Sequence, residues 1–312
     1  MADVAATRAR VALAKQRLLK AVAPADLPSR WSVVETGKRD GRFKPVLDAY
    51  GAGIASDPQA AEGYVNRANF LIGVFDWRAA LPDLDRAIAL QPTADLYLQR
   101  ANLYKIVGDD AHAVADAGAA RKLDPASTQA MEMLGEYQVD HGKRDDALAM
   151  VQERIDAGGE NKNDLIMVKA NLLTRAGDAQ AAMAALDQAI AAKPGDPDLL
   201  NNRCWDKALL KTALDTALKD CTKSIELSDS TWAALDSRAL VYFRMNRFDD
   251  ALADLAAVLE QDPDLAASLF LRGVIRSRQG DAAGAKADLA AAATMDPLLA
   301  AERKRFGIAP QE

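Results

Sequence analysis

The feature that most constrains this chain is a pattern that returns every 33 to 35 residues between Pro58 and Pro297. The successive spacings are 34, 33, 34, 35, 35, 34 and 34 residues. The residues that close the periods are Pro58, Pro92, Pro125, Gly159, Pro194, Asp229, Pro263 and Pro297. Repeats of this length that hold two amphipathic helices stack on their neighbours and share a continuous core. The period therefore predicts seven helical hairpins in a row.

The hairpin is clearest in the first full unit, where helices are predicted over residues 61–73 and 77–90. The residue twelve places before the closing position is alanine in every unit: Ala80, Ala113, Ala147, Ala182, Ala217, Ala251 and Ala285. A second column of small residues lies on the first helices: Ala68, Ala101, Gly135, Ala170, Cys204, Ala239 and Gly273. Two helices cross closely only where neither carries a bulky side chain, so both columns are predicted to face the packed interior.

One tyrosine, three alanines, a leucine and a proline of this unit resemble the tetratricopeptide repeat pattern. They are Tyr64, Ala68, Ala80, Leu84, Ala87 and Pro92. The resemblance extends over all seven units and implies an all-α fold, a right-handed α-solenoid of stacked helix-turn-helix units without a second domain. We expect an N-terminal helix, an irregular linker and a degenerate half-repeat in residues 1–58, the seven units in residues 59–297, and a capping helix and tail in residues 298–312.

Several local features depart from the regular repeat. Residues 1–22 are predicted to form a helix with one basic side, and residues 25–42 are the least regular part of the chain. Residues 43–57 carry the second-helix pattern alone, which predicts a half-repeat that covers the first unit. The fifth unit has an extra residue and no turn glycine, so we expect an irregular turn near residues 209–214. In the sixth unit Asn246 takes the glycine position.

Composition excludes some classes of partner. The 312-residue chain has a formal net charge of -6 and mixes its basic residues among acidic ones, so it offers no basic stripe to a nucleic acid. No stretch approaches the roughly 18 apolar residues that a membrane span needs. Residues 1–22 lack the continuous apolar core of a secretory signal. We expect no nucleic acid partner, no membrane span, and a soluble chain in the cytoplasm or the periplasm.

Motifs for catalysis and cofactors are missing from the sequence. It has no phosphate-binding glycine loop, no Gly-x-Ser-x-Gly elbow and no His-Glu-x-x-His helix. The two histidines, His112 and His141, are predicted to lie at hairpin turns on the surface, and neither has a metal-ligand spacing with the cysteines. The sequence therefore predicts no enzyme, no cofactor and no metal site.

The two cysteines, Cys204 and Cys221, are predicted to face the interior of the fifth unit, one on each helix. Buried free thiols that pack as small apolar side chains are the default interpretation. A disulfide is the alternative, because the register places the two residues close together and an oxidising compartment would join them.

Five units carry an arginine at the seventh position and an aspartate on the second helix, whereas the third and fourth units lack both. The pairs are Arg67 with Asp83, Arg100 with Asp116, Arg203 with Asp220, Arg238 with Asp254, and Arg272 with Asp288. A guanidinium beside a core is costly unless it meets a carboxylate. We therefore predict structural ion pairs within a hairpin or between neighbouring hairpins. A row of arginines for an anionic ligand is the alternative.

The tetratricopeptide resemblance implies that the first helices line an inner groove. Groove positions in the N-terminal part are polar and suit hydrogen bonds to an extended peptide: Asn66, Asn69, Gln99, Asn102, Asn171 and Asn202. Groove positions toward the C-terminus are apolar: Trp205, Leu240, Phe243, Phe270 and Val274. Exposed apolar side chains suggest a partner site. The alternative is that curvature of the repeats or a terminal segment covers them.

The function predicted from these features is a non-catalytic scaffold that binds a protein or an extended peptide in its concave groove. A second hypothesis is an excised docking region of a larger bacterial envelope protein. It rests on a looser similarity of residues 202–205 and 239–273 to tetratricopeptide tails of transglutaminase-like proteins. A third is a structural scaffold that assembles with copies of itself. The sequence leaves the oligomeric state open.

Overall fold

The computed structural model describes residues 30–159, 161–228 and 231–311, and these ranges hold 17 helices and no strand. The helices are α1 Arg30–Arg39, α2 Lys44–Ser56, α3 Ala61–Gly73, α4 Trp77–Leu90, α5 Ala94–Ile106, α6 Asp110–Leu123, α7 Thr128–Asp140, α8 Arg144–Asp156, α9 Lys162–Arg175, α10 Ala179–Ala192, α11 Pro197–Leu209, α12 Leu214–Leu227, α13 Trp232–Arg244, α14 Phe248–Gln261, α15 Ala266–Gln279, α16 Ala282–Met295 and α17 Leu299–Arg305. The predicted helix over residues 1–22 and the closing residue Asp229 lie outside the described residues. None of the described helices is both long and apolar enough to cross a bilayer.

The chain divides into two compact units, with the boundary between Asp124 and Pro125. Unit 1 contains α1 to α6, which include the first two predicted hairpins. Unit 2 contains α7 to α17, which include the other five. In each unit consecutive helices pack as antiparallel hairpins and the hairpins pack side by side. The predicted all-α fold of stacked helical hairpins is confirmed.

The two columns of small residues lie inside the hairpins, as predicted. All seven alanines of the second-helix column are at most 5% exposed. At Gly273 in the first-helix column, a Cβ atom would lie 2.8 Å from Cγ of Leu289. Close-packed interiors cannot accept such an approach without movement, so the small residue permits the tight crossing of α15 and α16.

Helix α2 lies where the sequence predicts the half-repeat of unit 1. Helix α2 buries Val46 and Tyr50, and the rings of Phe43 and Tyr50 each lie 5.8 Å from the ring of Phe70 on α3. The predicted irregular segment is wrong for the residues of α1, which are helical. Val34 of this helix is buried, and Gly37 leaves space for the ring of Phe43, which would lie 2.6 Å from a Cβ atom there.

All five predicted Arg–Asp pairs are present within their own hairpins. In each, the guanidinium Nε and Nη2 donate to the two carboxylate oxygens of one aspartate, with nitrogen–oxygen distances of 2.5 to 2.9 Å. The aspartates are 3 to 7% exposed. Arg100 and Arg203 also pair with Asp85 and Asp187 of the preceding hairpin. A buried carboxylate matched by a two-pronged guanidinium ties the two helices together.

The two hairpins without the pair replace it in different ways. In the third, Leu134 and Met150 both join an apolar cluster. In the fourth, Lys169 Nζ donates to Oε1 of Gln152 on the preceding hairpin at 2.7 Å. Arginine and aspartate are lost together, so neither hairpin retains one member of the pair without the other.

The irregular turn of the fifth unit is confirmed between α11 and α12. Lys211 and Ala213 both have positive φ angles, of 54° and 47°. Asn246 takes the glycine role in the sixth unit with a φ angle of 57°. Such angles strain residues that have a Cβ atom, so the connection between α11 and α12 differs from the turns at Gly108, Gly142, Gly177 and Gly280.

The default interpretation of the cysteines as free thiols is wrong, because Cys204 and Cys221 form a disulfide. Their Cα atoms are 5.5 Å apart, and both residues are fully buried. The physical reason is the close crossing of α11 and α12. Cys204 occupies the small-residue column of the first helix, so the second helix brings Cys221 directly against it.

Candidate binding face of the second unit

A cavity of about 370 Å³ lies in unit 2 on the side of the first helices. Helices α7, α9, α11 and α13 line it together with α17 and the residue that follows. Three of the sequence-predicted groove residues, Asn171, Asn202 and Trp205, are among its walls. We call the surface that these helices form the inner face of unit 2.

Polar side chains of three successive first helices are linked along this cavity. Asn171 Nδ2 donates to Oε1 of Glu132 at 3.0 Å, and Asn202 Nδ2 donates to Oδ1 of Asn171 at 3.2 Å. Oδ1 of Asn202 is buried and accepts no hydrogen bond within the described part of the chain. The amides are therefore held in one orientation by their neighbours, and one acceptor in the row stays unused.

Asp206 is an ionisable group buried in the cavity wall, where it is 1% exposed. Burial raises the pKa of its carboxyl group to about 7, because the charged form loses its hydration, and the nearby Thr174 hydroxyl opposes the shift. Asp206 and Thr174 do not form a hydrogen bond of standard geometry. Both Oδ2 of Asp206 and the Thr174 hydroxyl are buried without a hydrogen-bond partner among the described residues. Asp206 is thus poised to change charge near neutral pH.

Two tryptophans border the cavity. The guanidinium of Arg303 lies 4.6 Å from the ring centroid of Trp205, which is a cation–π arrangement. Trp232, at the start of α13, is 46% exposed and also borders the cavity. Tryptophan is enriched among the residues that contribute most of the binding energy at protein interfaces. A half-exposed indole beside a polar cavity is therefore a candidate contact for a partner.

The residues after α16 return along the inner face of unit 2, and we call residues 299–311 the C-terminal segment. Arg305 pairs with Asp140 of α7 at 2.8 Å. Arg244 of α13 donates to the backbone carbonyl of Phe306 at 2.7 Å. Ile308 is 1% exposed and lines a small apolar pocket with Leu240 and other residues of the inner face. The segment therefore contacts several hairpins rather than the last one alone.

The predicted apolar groove residues toward the C-terminus are buried. Leu240, Phe243, Phe270 and Val274 are at most 4% exposed. Leu240 and Phe270 border the pocket of Ile308 and Arg303. For Leu240 and Phe270 the geometry matches the alternative in which a terminal segment covers the side chain, and Trp205 remains only partly exposed.

The predicted groove residues of unit 1 have a different environment. Asn66 and Asn69 are exposed, and Gln99 and Asn102 are partly exposed. Gln99 Nε2 donates to Oδ1 of Asn69, which links α5 to α3. Their role in binding stays a prediction.

Sequence reasoning missed two residues of this site, Asp206 and Trp232, and named a covering terminal segment only as an alternative. Asp206 lies next to the predicted Trp205, and Trp232 begins a first helix, but both positions lie outside the groove register that the resemblance implies. No local signal in residues 299–311 indicates that they lie against helices more than a hundred residues earlier.

The histidines lie at the surface, as predicted. His112 is in the first turn of α6, where its ring Nδ1 lies 2.7 Å from Oδ2 of Asp109, and His141 follows the end of α7. Across residues 30–159, 161–228 and 231–311, no group of three or more His, Cys, Asp or Glu side chains is arranged to hold a metal ion.

Helix pairs of this length, packed through small-residue columns, define a helical-repeat protein. The family is the tetratricopeptide repeat, whose model matches residues 132–197 and 237–300. The chain therefore contains tetratricopeptide repeats in these two stretches, and the unmatched hairpins of unit 1 have the same helix lengths and order. A search of curated proteins found no match.

Solved structures of the same family align with the chain. A tetratricopeptide repeat protein from Parabacteroides merdae aligns over 79% of this chain and 98% of its own, with 16% identity and a TM-score of 0.51. A thermophilic tetratricopeptide repeat protein from Thermus thermophilus aligns over 61% of this chain and 99% of its own, with 22% identity and a TM-score of 0.46. At 16% identity the first similarity supports the fold alone. Tetratricopeptide repeats are generally non-catalytic, and the repeats support a role for this chain as a protein-interaction scaffold.

Proposed function

We propose that this protein binds a segment of another protein along the inner face of unit 2, beside the cavity between α7 and α13. The observation that carries the proposal is the way in which this face already holds a polypeptide, the C-terminal segment. Its backbone carbonyls accept hydrogen bonds from Arg244, and Ile308 is buried where it lines a small pocket with Leu240 and Phe270. A surface that can hold one peptide by its backbone and a side-chain anchor has the features needed to hold another.

The open part of the face supports the same function. The cavity of about 370 Å³ has the size of a ligand pocket rather than of a packing defect. Its walls combine the amide row of Asn171 and Asn202 with the exposed indole of Trp232. Polar groups that fix orientation beside one large anchor are the usual composition of a recognition site.

The test uses peptides selected from a random display library against the full-length protein. Selected peptides are then titrated against wild type and Trp232→Ala by fluorescence anisotropy. Removing the anchor should weaken binding by about 2 kcal/mol, or roughly thirtyfold, because interface tryptophans contribute on this scale. Asn202→Ala should weaken binding by a smaller factor.

Matched controls lie on the outer helices of the same unit. Leu227 on α12 is 41% exposed, and Gln188 on α10 is exposed as well. Leu227→Ala and Gln188→Ala should bind the selected peptides like wild type. Equal affinity of Trp232→Ala and Leu227→Ala would place peptide binding elsewhere and overturn the proposal.

A further inference from the structure

The C-terminal segment is bound more extensively than the end of a repeat stack requires. A cap needs to cover only the last hairpin, α15 and α16. This segment also pairs Arg305 with Asp140 of α7, stacks Arg303 on Trp205 of α11 and receives hydrogen bonds from Arg244 of α13. It therefore follows the surface that the proposed function assigns to a partner.

Much of the binding of this segment is independent of its sequence. Arg244 donates to the carbonyls of Phe306 and Gly307 at 2.7 and 3.5 Å, and Ser277 exchanges two hydrogen bonds with the backbone of Gln311 at 3.2 and 3.0 Å. All hydrogen bonds resolved for the Arg244 guanidinium go to backbone carbonyls. Any peptide in this place offers the same groups.

The side chains of the segment complement the charge of the face. The repeat helices contribute four carboxylates and one arginine to the cavity wall: Glu132, Glu136, Asp206, Asp236 and Arg175. The C-terminal segment itself contributes the other two basic groups, Arg303 and Arg305, and one carboxylate, Glu302. Without the segment, the helices alone present an acidic wall next to the apolar pocket of Ile308.

We infer that residues 299–311 compete for the inner face of unit 2 with a partner segment of the same chemistry, in which a basic residue precedes a buried aliphatic side chain by about one helical turn. The inference rests on the proposed function and adds the class of partner and its regulation. The covalent link gives the C-terminal segment a high effective concentration, so a partner must bind strongly enough to displace it. Without a partner the C-terminal segment occupies the inner face, and when the partner binds the segment is displaced.

The experiment uses a fluorescein-labelled synthetic peptide with the sequence of residues 298–311. It is titrated against wild type and against the variant Arg305→Glu, Ile308→Asp, which puts negative charge beside Asp140 and into the apolar pocket. The double variant should bind the peptide at least about tenfold more tightly than wild type, because its own segment no longer competes. A peptide carrying aspartate in place of the isoleucine should not bind.

Two controls keep the result interpretable. Leu123→Asp changes an exposed leucine of unit 1 (54% exposed) and should leave peptide affinity at the wild-type value. The single variant Arg305→Ala, at a side chain that is 39% exposed, should preserve the fold and raise affinity by roughly two- to fivefold. If circular dichroism indicates that the double variant is unfolded, the peptide affinity of Arg305→Ala is the result that tests the inference.

Two results would overturn the inference: equal peptide affinity for wild type and a folded released variant, or no binding to either. The outcome is separable from that of the proposed function. Library peptides that bind through Trp232 while the 298–311 peptide does not would leave the proposed function standing and refute only competition by the C-terminal segment.

Discussion

The first helices of the two units differ in their groove residues, which are polar in unit 1 and apolar toward the C-terminus of unit 2, and in what lies against them. In unit 1, Asn66 and Asn69 remain exposed. In unit 2, Leu240 and Phe270 are at most 4% exposed, and residues of the C-terminal segment line the same pocket. The same repeat therefore serves as a solvated surface in one unit and as a covered one in the other. Changes to the first helices should alter stability in unit 2 much more than in unit 1.

The largest expected effect is a pH dependence of the free energy of unfolding, caused by Asp206 of unit 2. Burial raises the folded-state pKa of Asp206 from its ordinary 3.8 to about 7. Between these values the folded chain keeps a proton that the unfolded chain releases, so the free energy of unfolding falls as pH rises through this window. The loss should reach roughly 4 kcal/mol above pH 7, and Asp206→Asn should abolish it.

Urea unfolding of wild type and Asp206→Asn at intervals from pH 4 to 8 measures this effect. Burial also raises the pKa of Asp236, which adds a slope of the same sign that the variant retains. The other charged groups that line the cavity are Glu132, Glu136, Arg175, Glu302, Arg303 and Arg305. Asp215→Asn, at an exposed carboxylate of α12, is the matched control. Parallel pH profiles for Asp206→Asn and wild type would contradict the assignment.

The next largest effect is a loss of stability that is confined to unit 2, which compares the covered face with the exposed one. Ile308→Ala should lower the free energy of unfolding by about 3 kcal/mol, because truncating a fully buried isoleucine removes its contacts and leaves a cavity. Hydrogen exchange read by mass spectrometry separates the two units. Exchange should accelerate in peptides of α11 to α17 and stay unchanged in peptides of α3 to α6. A uniform change over both units would contradict the placement of this side chain in unit 2 alone.

The sequence predicted what depends on short-range spacing. Helix positions, the Ala80 and Gly273 columns, and the pairing of Arg67 with Asp83 follow from a period near 34 residues, because register fixes which side chains meet. The disulfide remained one of two alternatives, since register brings the sulfurs together but does not determine whether they are oxidised.

The sequence left covering by a terminal segment as one alternative, and the contacts of that segment were beyond local reasoning for a different physical reason. Arg305 reaches Asp140 across 165 residues, and no period connects the two. The burial of Asp206 depends on the same long-range arrangement, because α17 helps to enclose the cavity. Contacts between distant segments rest on the summed packing of whole elements, which single-residue patterns do not encode.

The smallest expected effect tests the open half of the comparison. Asn69 of unit 1 is exposed and accepts a hydrogen bond from Gln99. Asn69→Ala should change the free energy of unfolding by less than about 0.5 kcal/mol, because solvent replaces the lost hydrogen bond and no cavity forms. Chemical denaturation beside Asn171→Ala, at the partly buried amide of unit 2, provides the contrast. A loss at Asn69 equal to or greater than that at Asn171 would mean that the polar row of unit 1 is structural, which would remove the physical basis for treating the two faces differently.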